Sequence, residues 1–454
     1  MVLWACMRHI VYIGSHLGYP MERTPLGGGA MVGLQLVRHW ARRLAQENGG
    51  AEFCLTVVGA GGVAPDKGIR YVQLPKGAPP DLVRASEMGY ARFCRIFEAE
   101  TTAFIEKSEF KPEDTTILVN DISESPNLDR LAALGFPIVS IWHVDVVEFF
   151  NRIYLGGFLA PERLTGAFAW LEDRGWAHRV PDVLRLVFQK QRQAVRRSRV
   201  LILPSRQMSE TIRRCYPGCG PRMMVLPWGG WRETYDESEA AQESERLKKH
   251  YQIKPNSLIL MTLSRISPEK GIHLLLEALS LLEKAGDLGG RDVCLFICGE
   301  TAFMRGEAYG KKVRKAAERL KNVRVFFPGY LPALEKQAYF LLADLFISPS
   351  VHESYGLTLV EAMRGGLPVL ASDHYGVEEI LDDSYGRAVS YDPPANRAAN
   401  LAAGLKDLLA DRRRLAKMGD KAKEASEEMT FEASSRRLWE AVASADPGRG
   451  GEKI

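Results

Sequence analysis

The sequence predicts an α/β protein of two doubly wound parallel-sheet domains, and three observations carry that expectation. Short β-branched runs alternate with longer runs of helical periodicity along the whole chain. The β runs are apolar almost throughout, as strands covered on both faces are. At 454 residues the chain exceeds what one hydrophobic core supports, so two domains of about 200 residues each follow.

Composition is that of an ordinary soluble protein, with 46% hydrophobic and 26% charged residues. The net charge of +4 is too small to predict a nucleic-acid partner, though it leaves room for a local basic face. The seven cysteines are odd in number, scattered and without Cys-x-x-Cys spacing, which predicts a reduced set and a cytoplasmic setting. Cys294 and Cys298 share one apolar run and read as core, while Cys215 and Cys219 flank Tyr-Pro-Gly with no second ligand pair beside them. No apolar run reaches the roughly 18 residues of a membrane span. Arg8 and His9 interrupt the apolar start and no small-residue cleavage site follows, so residues 8–14 read as the first strand. Residues 1–6 are then an extension, and Met7 is a second candidate start.

After that strand comes a loop over residues 15–26, then Gly27-Gly28-Gly29-Ala30. Next is a helical pattern of Val32, Leu34, Leu36, Val37, Trp40 and Leu44. Glycines here allow a backbone to approach a ligand closely, and a plain flexible loop explains them as well. The spacing is not Gly-x-Gly-x-x-Gly, so no dinucleotide fingerprint is present. Strands follow at 53–58, 70–74, 116–120, 137–142, 200–203 and 223–226. Ligands on doubly wound sheets sit at the carboxyl ends of strands, which marks His143 and Ser205. A hydrogen-bonded structural role is the plain alternative for a lone histidine. Residues 147–199 hold two aromatic clusters and end in a helical run that combines Leu184, Leu186, Val187 and Phe188 with Lys190, Arg192, Arg196, Arg197 and Arg199. One face of residues 183–199 suits an anionic membrane or an acidic acceptor, and an ordinary packed helix with solvated cations is the other reading.

Pro227-Trp228-Gly229-Gly230 precedes a polar stretch, 233–249, that reads as a linker and a first helix. A second alternation begins with a strand at 257–263, the loop Ser264-Arg265-Ile266-Ser267-Pro268-Glu269-Lys270-Gly271 and a helix over 272–284. Strands at 293–298, 323–327, 344–348 and 368–371 repeat the plan of the first half. The expected domains are 1–228 and 229–428, with 429–454 forming a closing helix and a disordered tail.

Within the second half, Ser348-Pro349-Ser350 leads to Glu353, a Ser354-Tyr355-Gly356 turn, and a helix beginning near Leu357 that carries Glu361. The N–H groups of Gly356, Leu357 and Thr358 then lie at a helix N-terminus, where unpaired donors and the macrodipole favour phosphate. Two solvated glutamates on a βα unit are the plain alternative. Arg265 and Lys270 share one loop and suit a diphosphate, Arg as a planar fork and Lys as a mobile point charge. No Asp-x-Asp pair has a loop setting, so no metal is called for and the cationic side chains take the leaving charge.

The segments Leu263-Ser264-Arg265 to Lys270-Gly271, Phe327-Pro328-Gly329-Tyr330, and Ser348 to Glu353 and Glu361 followed by Gly-Leu-Pro-Val resemble retaining glycosyltransferases of family four. The likeness is strong over residues 257–380 and weaker before them. It implies the glycosyltransferase-B fold, two Rossmann-like domains facing across a cleft. It further implies hexosyl transfer, without metal or cofactor, from a nucleoside diphosphate sugar, UDP-sugar before GDP-sugar, to an acceptor hydroxyl. On these positions it gives Arg265 and Lys270 to the diphosphate, Glu353 to hydroxyls of the transferred sugar and Glu361 to the ribose. The backbone of Ser354, Tyr355, Gly356, Leu357 and Thr358 falls to sugar and phosphate, and Gly329, Tyr330 and Leu331 to the base. Gly28 and Gly29 match the loop over the donor phosphates, and His143 matches a histidine facing the donor sugar. Residues 431–442 resemble the helix that returns to the first domain. The acceptor, whether glycan, lipid or small molecule, falls to the first domain.

Three departures from the family pattern stand out: Ser354-Tyr355 for Gly-Phe, Trp228-Gly229-Gly230 for Asn-Gly-Val, and His374-Tyr375-Gly376 for a more glycine-rich loop. A non-catalytic nucleotide-sugar-binding subunit, or an epimerase or phosphorylase of the same fold, are the rival readings.

Overall fold

The computed structural model describes residues 8–20, 27–46, 53–76, 86–302 and 306–444. The question of Met1 against Met7 and the expected disordered tail beyond residue 444 lie outside them. The chain forms two compact units, Met1–Pro227 with Glu432–Ile454, and Trp228–Phe431.

The first unit carries seven parallel strands: β1 (Arg8–Ile13), β2 (Phe53–Gly59), β3 (Arg70–Gln73), β4 (Thr115–Val119), β5 (Ile138–Ile141), β6 (Val200–Leu203) and β7 (Met223–Val225). Their order across the sheet is β3-β2-β1-β4-β5-β6-β7. All five residues of β4 and all four of β5 are buried, because helices cover both faces of a parallel sheet and leave neither face open to water.

The helix Phe431–Ser444 packs on this sheet's flank. Trp439 meets Trp40 at 5.2 Å and Phe53 at 5.3 Å, both edge-to-face, and Arg8 donates to the Ala443 carbonyl at 2.9 Å.

The second unit repeats the plan with six parallel strands: β8 (Leu258–Leu263), β9 (Val293–Cys298), β10 (Val323–Gly329), β11 (Leu345–Ser348), β12 (Val369–Ser372) and β13 (Gly386–Val389), in the order β10-β9-β8-β11-β12-β13. Leu260, Leu275, Leu279, Leu295, Ile297 and Ile347 form the heart of its core. Sequence periodicity misses β13. It begins with a glycine, carries Arg387, pairs only with β12 and is only partly buried, so it lacks the apolar run of a central strand.

One expectation is narrowed and one is corrected. The run that suits either a membrane or acidic acceptor or an ordinary packed helix is the helix Asp182–Arg197, and part of its apolar side packs in its own unit: Leu186 is buried, and Phe188 stacks on Phe168 at 4.9 Å. Three of its cations have partners within the unit. Lys190, 1% exposed, reaches Glu98 at 3.1 Å and the Ser125 carbonyl at 2.5 Å, Arg192 joins Glu172 and Asp173, and Arg197 meets Asp129. The buried side is that of an ordinary packed helix, while Arg196 and Arg199 stay exposed at the end of the run.

The cysteines are also not uniformly reduced. Cys94, Cys215, Cys219, Cys294 and Cys298 are free and buried, but Cys54 is disulfide-bonded. Pairing follows proximity in space, which scattered spacing does not report. Among the described residues, no helix is long and apolar enough to cross a membrane.

Candidate functional site

In the second unit the chain winds outward in opposite directions from β8 and β11, so the strand order reverses between these two neighbours. A doubly wound sheet opens a crevice at the carboxyl ends of such a pair. The two loops that leave those ends carry Arg265 with Lys270, and Glu353.

The loops are laced together. The Glu269 carbonyl accepts N–H groups of Val351 at 2.8 Å and His352 at 3.3 Å. Gly271 lies at φ +62°, and a Cβ there would stand 1.9 Å from the Pro349 carbonyl oxygen, so only glycine fits.

Across this junction Lys270 Nζ forms an ion pair with the Glu353 carboxylate, whose Oε1 also accepts the Ser354 N–H at 3.2 Å. Burial pushes Glu353 up, but Lys270, His374 and these hydrogen bonds outweigh it and hold the carboxyl at about 2. Arg265 stands on the same loop, 3.5 Å from the Glu269 carboxylate, which Ser267 fixes in turn. The spacing that pointed to Arg265 and Lys270 thus passed over Glu269, the group that orients the first of them.

The helix Leu357–Arg364 starts at Gly356, φ +103°, with no side chain capping it. Its first-turn N–H groups, including those of Leu357 and Thr358, therefore face the same loop end as Ser354 and Tyr355, which are both buried. One turn in, Glu361 meets Lys336 at 3.2 Å, and Lys336 meets Glu233 at 2.8 Å. Burial raises Glu361. It would lower Lys336, but the two carboxylates hold that amine up at about 12. No spacing ties Lys336 or Glu233 to Glu361, so the sequence contained no signal for this triad. At the carboxyl end of β10, Gly329 takes φ +86° and its carbonyl accepts the Gly299 N–H at 2.7 Å, with Tyr330 exposed and Leu331 buried after it.

The first unit has its own reversal, between β1 and β4. Asn120, just past β4, organises that end: Tyr12 donates to its Oδ1 at 2.6 Å and its amide reaches the Gly29 carbonyl at 3.3 Å. His143 Nε2 lies 3.1 Å from the same Oδ1. That oxygen only accepts, so His143 Nε2 carries the proton and Nδ1 is the acceptor nitrogen. Burial lowers His143 to about 4, which keeps the ring neutral at pH 7.

Gly28 opens the helix Gly28–Gln46, and a Cβ on Gly29 would stand 2.8 Å from the His143 ring. The glycine run therefore admits a side chain of the protein itself. Beside it, the buried Glu124 accepts from Ser15 and Tyr90 and pairs with His16 at 2.9 Å. Burial pushes Glu124 up, yet His16 and the hydroxyl hold it below the usual range. Neither Asn120 nor Glu124 stood out in sequence, although both follow a strand end. Ser205 instead caps the helix Arg206–Cys215 through the Met208 N–H, a structural role.

Residues 243–425, nearly the whole second unit, match the family described as Glycosyl transferases group 1. Lipopolysaccharide 1,2-N-acetylglucosaminetransferase of Salmonella typhimurium is 30% identical over 187 residues, 40% of this chain and 46% of that protein. Alignments with the curated relatives span between about a third and three fifths of those proteins' own lengths. Among solved structures, sucrose-phosphate synthase from Thermosynechococcus elongatus superposes with a TM-score of 0.68 at 16% identity, covering 96% of this chain and 98% of the other. Anabaena Alr3699/HepE, solved in complex with UDP and glucose, gives 0.64 at 17% identity, covering 96% and 100%. At these identities the likeness establishes the fold, the two-domain Rossmann-like glycosyltransferase-B fold.

Proposed function

We propose that the chain transfers a hexosyl group from a nucleoside diphosphate sugar to an acceptor hydroxyl with retention at the anomeric carbon, with UDP-sugar the first candidate donor and GDP-sugar the next. The observation that carries the reading is the convergence of Arg265, Lys270 and Glu353 at the β8/β11 reversal, beside the uncapped start of the helix Leu357–Arg364. Support comes from the Glycosyl transferases group 1 match over that unit and from the relative solved with UDP and glucose.

In the proposed reaction the bond between the anomeric carbon and the phosphate oxygen breaks, and its electron pair leaves with the diphosphate. The acceptor oxygen bonds to the same face of that carbon, and its proton passes to the departing phosphate oxygen. Arg265 and Lys270 stabilise the charge that develops there, which gives the leaving group its counter-charge from side chains instead of a metal. For this to happen Lys270 turns from Glu353 toward phosphate, and Glu353 then accepts hydroxyls of the hexose. Glu361 takes the ribose hydroxyls, the backbone at Ser354 to Thr358 serves sugar and phosphate, and Gly329 to Leu331 serve the base. In the first unit the proposal gives Gly28 and Gly29 to phosphate and neutral His143 to the transferred sugar.

The test is incubation with UDP-glucose and GDP-mannose in the presence of chelator, with release of nucleoside diphosphate and the anomeric configuration of the product followed by NMR. Retention with undiminished turnover is expected, and donor turnover that survives Arg265→Ala and Lys270→Ala refutes the mechanism.

A further inference from the structure

His374 stands in one of the three segments that depart from the family pattern, and its surroundings single it out. It directly follows the β12–Asp373 segment, and the next glycine, Gly376 at φ +86°, packs its backbone on Tyr355 so closely that a Cβ would lie 2.4 Å from the Tyr355 carbonyl oxygen. The His374 loop is therefore the backing of the Glu353–Gly356 turn. The imidazole Cε1 comes within 3.2 Å of where a Cβ on Gly356 would be, which puts the edge between the two ring nitrogens against the start of the helix Leu357–Arg364. Glu353 is the leading carboxylate acting on this ring, and His374 is second only to Lys270 among the charges acting on Glu353.

The ring's protonation follows from its contacts. Nδ1 lies 2.8 Å from the Tyr375 carbonyl, an acceptor, so Nδ1 carries the proton and donates. Nε2 is then a lone-pair acceptor. It is buried, in a side chain only 3% exposed, and has no hydrogen-bond partner among the described residues. A buried acceptor without a donor is a standing cost that a ligand carrying O–H relieves.

We propose that His374 determines donor specificity: its Nε2 accepts a hydrogen bond from a hydroxyl of the transferred hexose, next to the hydroxyl taken by Glu353. This rests on the nucleotide-sugar reading of the site. Glu353 and His374 both only accept, so the pair selects a hexose that presents two neighbouring hydroxyls. It rejects one with a carboxylate there, which would meet a negative charge and a lone pair.

The experiment is calorimetric binding of UDP, UDP-glucose and the four monodeoxyfluoro UDP-glucoses, in which fluorine replaces a hydroxyl and cannot donate. In the native chain, one fluorinated position besides that read by Glu353 should weaken binding about tenfold, the scale of one buried hydrogen bond. In His374→Phe that position should no longer matter, and UDP-glucose should weaken about tenfold while UDP is unchanged. His374→Gln, whose amide oxygen accepts, should restore part of the loss. Equal weakening of UDP and UDP-glucose in His374→Phe would make the ring a mere wall and overturn the proposal, as would a native chain indifferent to fluorination beyond the Glu353 position, a result independent of any variant's folding. If UDP, UDP-glucose, GDP and GDP-mannose all fail to bind the native chain, the nucleotide-sugar reading falls and this assignment with it.

Discussion

Lys270→Met tests the electrostatic centre of the second unit. In the native chain Glu353 is held at about 2 against an ordinary 4.5. That difference of roughly 2.5 units corresponds to about 3 kcal/mol at 1.36 kcal/mol per unit. Lys270 leads the groups that lower it, ahead of His374 and the Ser354 N–H and against the opposing desolvation, so its loss should cost on the order of 2 kcal/mol. Methionine keeps the side chain's length and apolar stem, and leaves a carboxylate that burial then pushes upward.

The sign follows from linkage. A carboxyl depressed in the folded state contributes stability above its unfolded pKa of about 4.5 and loses it as pH falls toward about 2. The variant should therefore be less stable by about 2 kcal/mol at pH 7, a fall in Tm of roughly 6 °C for a unit of this size, and the gap should narrow on acidification, starting above the ordinary 4.5 where the variant's raised carboxyl protonates and ending near 2 where the native one does. Calorimetry of both proteins at pH 7, 5 and 3 reads it. A gap below about 0.5 kcal/mol at pH 7, the worth of an exposed pair, or a gap that does not narrow on acidification, refutes the reasoning.

Gly29→Ala places a methyl 2.8 Å from the His143 ring and should cost about 1–3 kcal/mol in urea unfolding, with a shifted His143 NMR titration. Lys336→Met leaves Glu361 and Glu233 without their shared cation. Glu361 is already raised by burial, so unfolding should show the variant weaker by about 2–3 kcal/mol at pH 8 and recovering toward pH 5 as the carboxyl protonates. Trp439→Ala empties the contact with Trp40 and Phe53 and should destabilise the first unit by about 3–5 kcal/mol, read by thermal denaturation.

Much of the fold was legible because parallel strands buried on both faces are largely apolar, as β8 and β9 are, and because helix starts such as Gly28 and Leu357 follow glycine. The edge strand β13 was not, since pairing on one side only asks little of its residues. The helix Asp182–Arg197 shows a different limit. Periodicity reports that it is amphipathic, but whether its apolar side meets lipid or protein depends on Phe168, and whether Lys190 is solvated depends on Glu98, both distant in sequence.

The stretch from Ser348 to Glu361 divides the same way. Local chemistry marked its two acids, the turn between them and the helix start, because backbone conformation and hydrogen-bond donors are set within a few residues. The Arg265–Lys270 loop was legible for the same reason. What only the tertiary structure decided is the state of those groups. Glu353 is paired with Lys270, Glu361 shares Lys336 with Glu233, Arg265 leans on Glu269, and His374 presents an unsatisfied nitrogen behind the turn. Charge, burial and hydrogen bonding act through space over a few ångströms, and the strand-order reversal at β8 and β11 brings together Lys270 and Glu353, 83 positions apart in the chain.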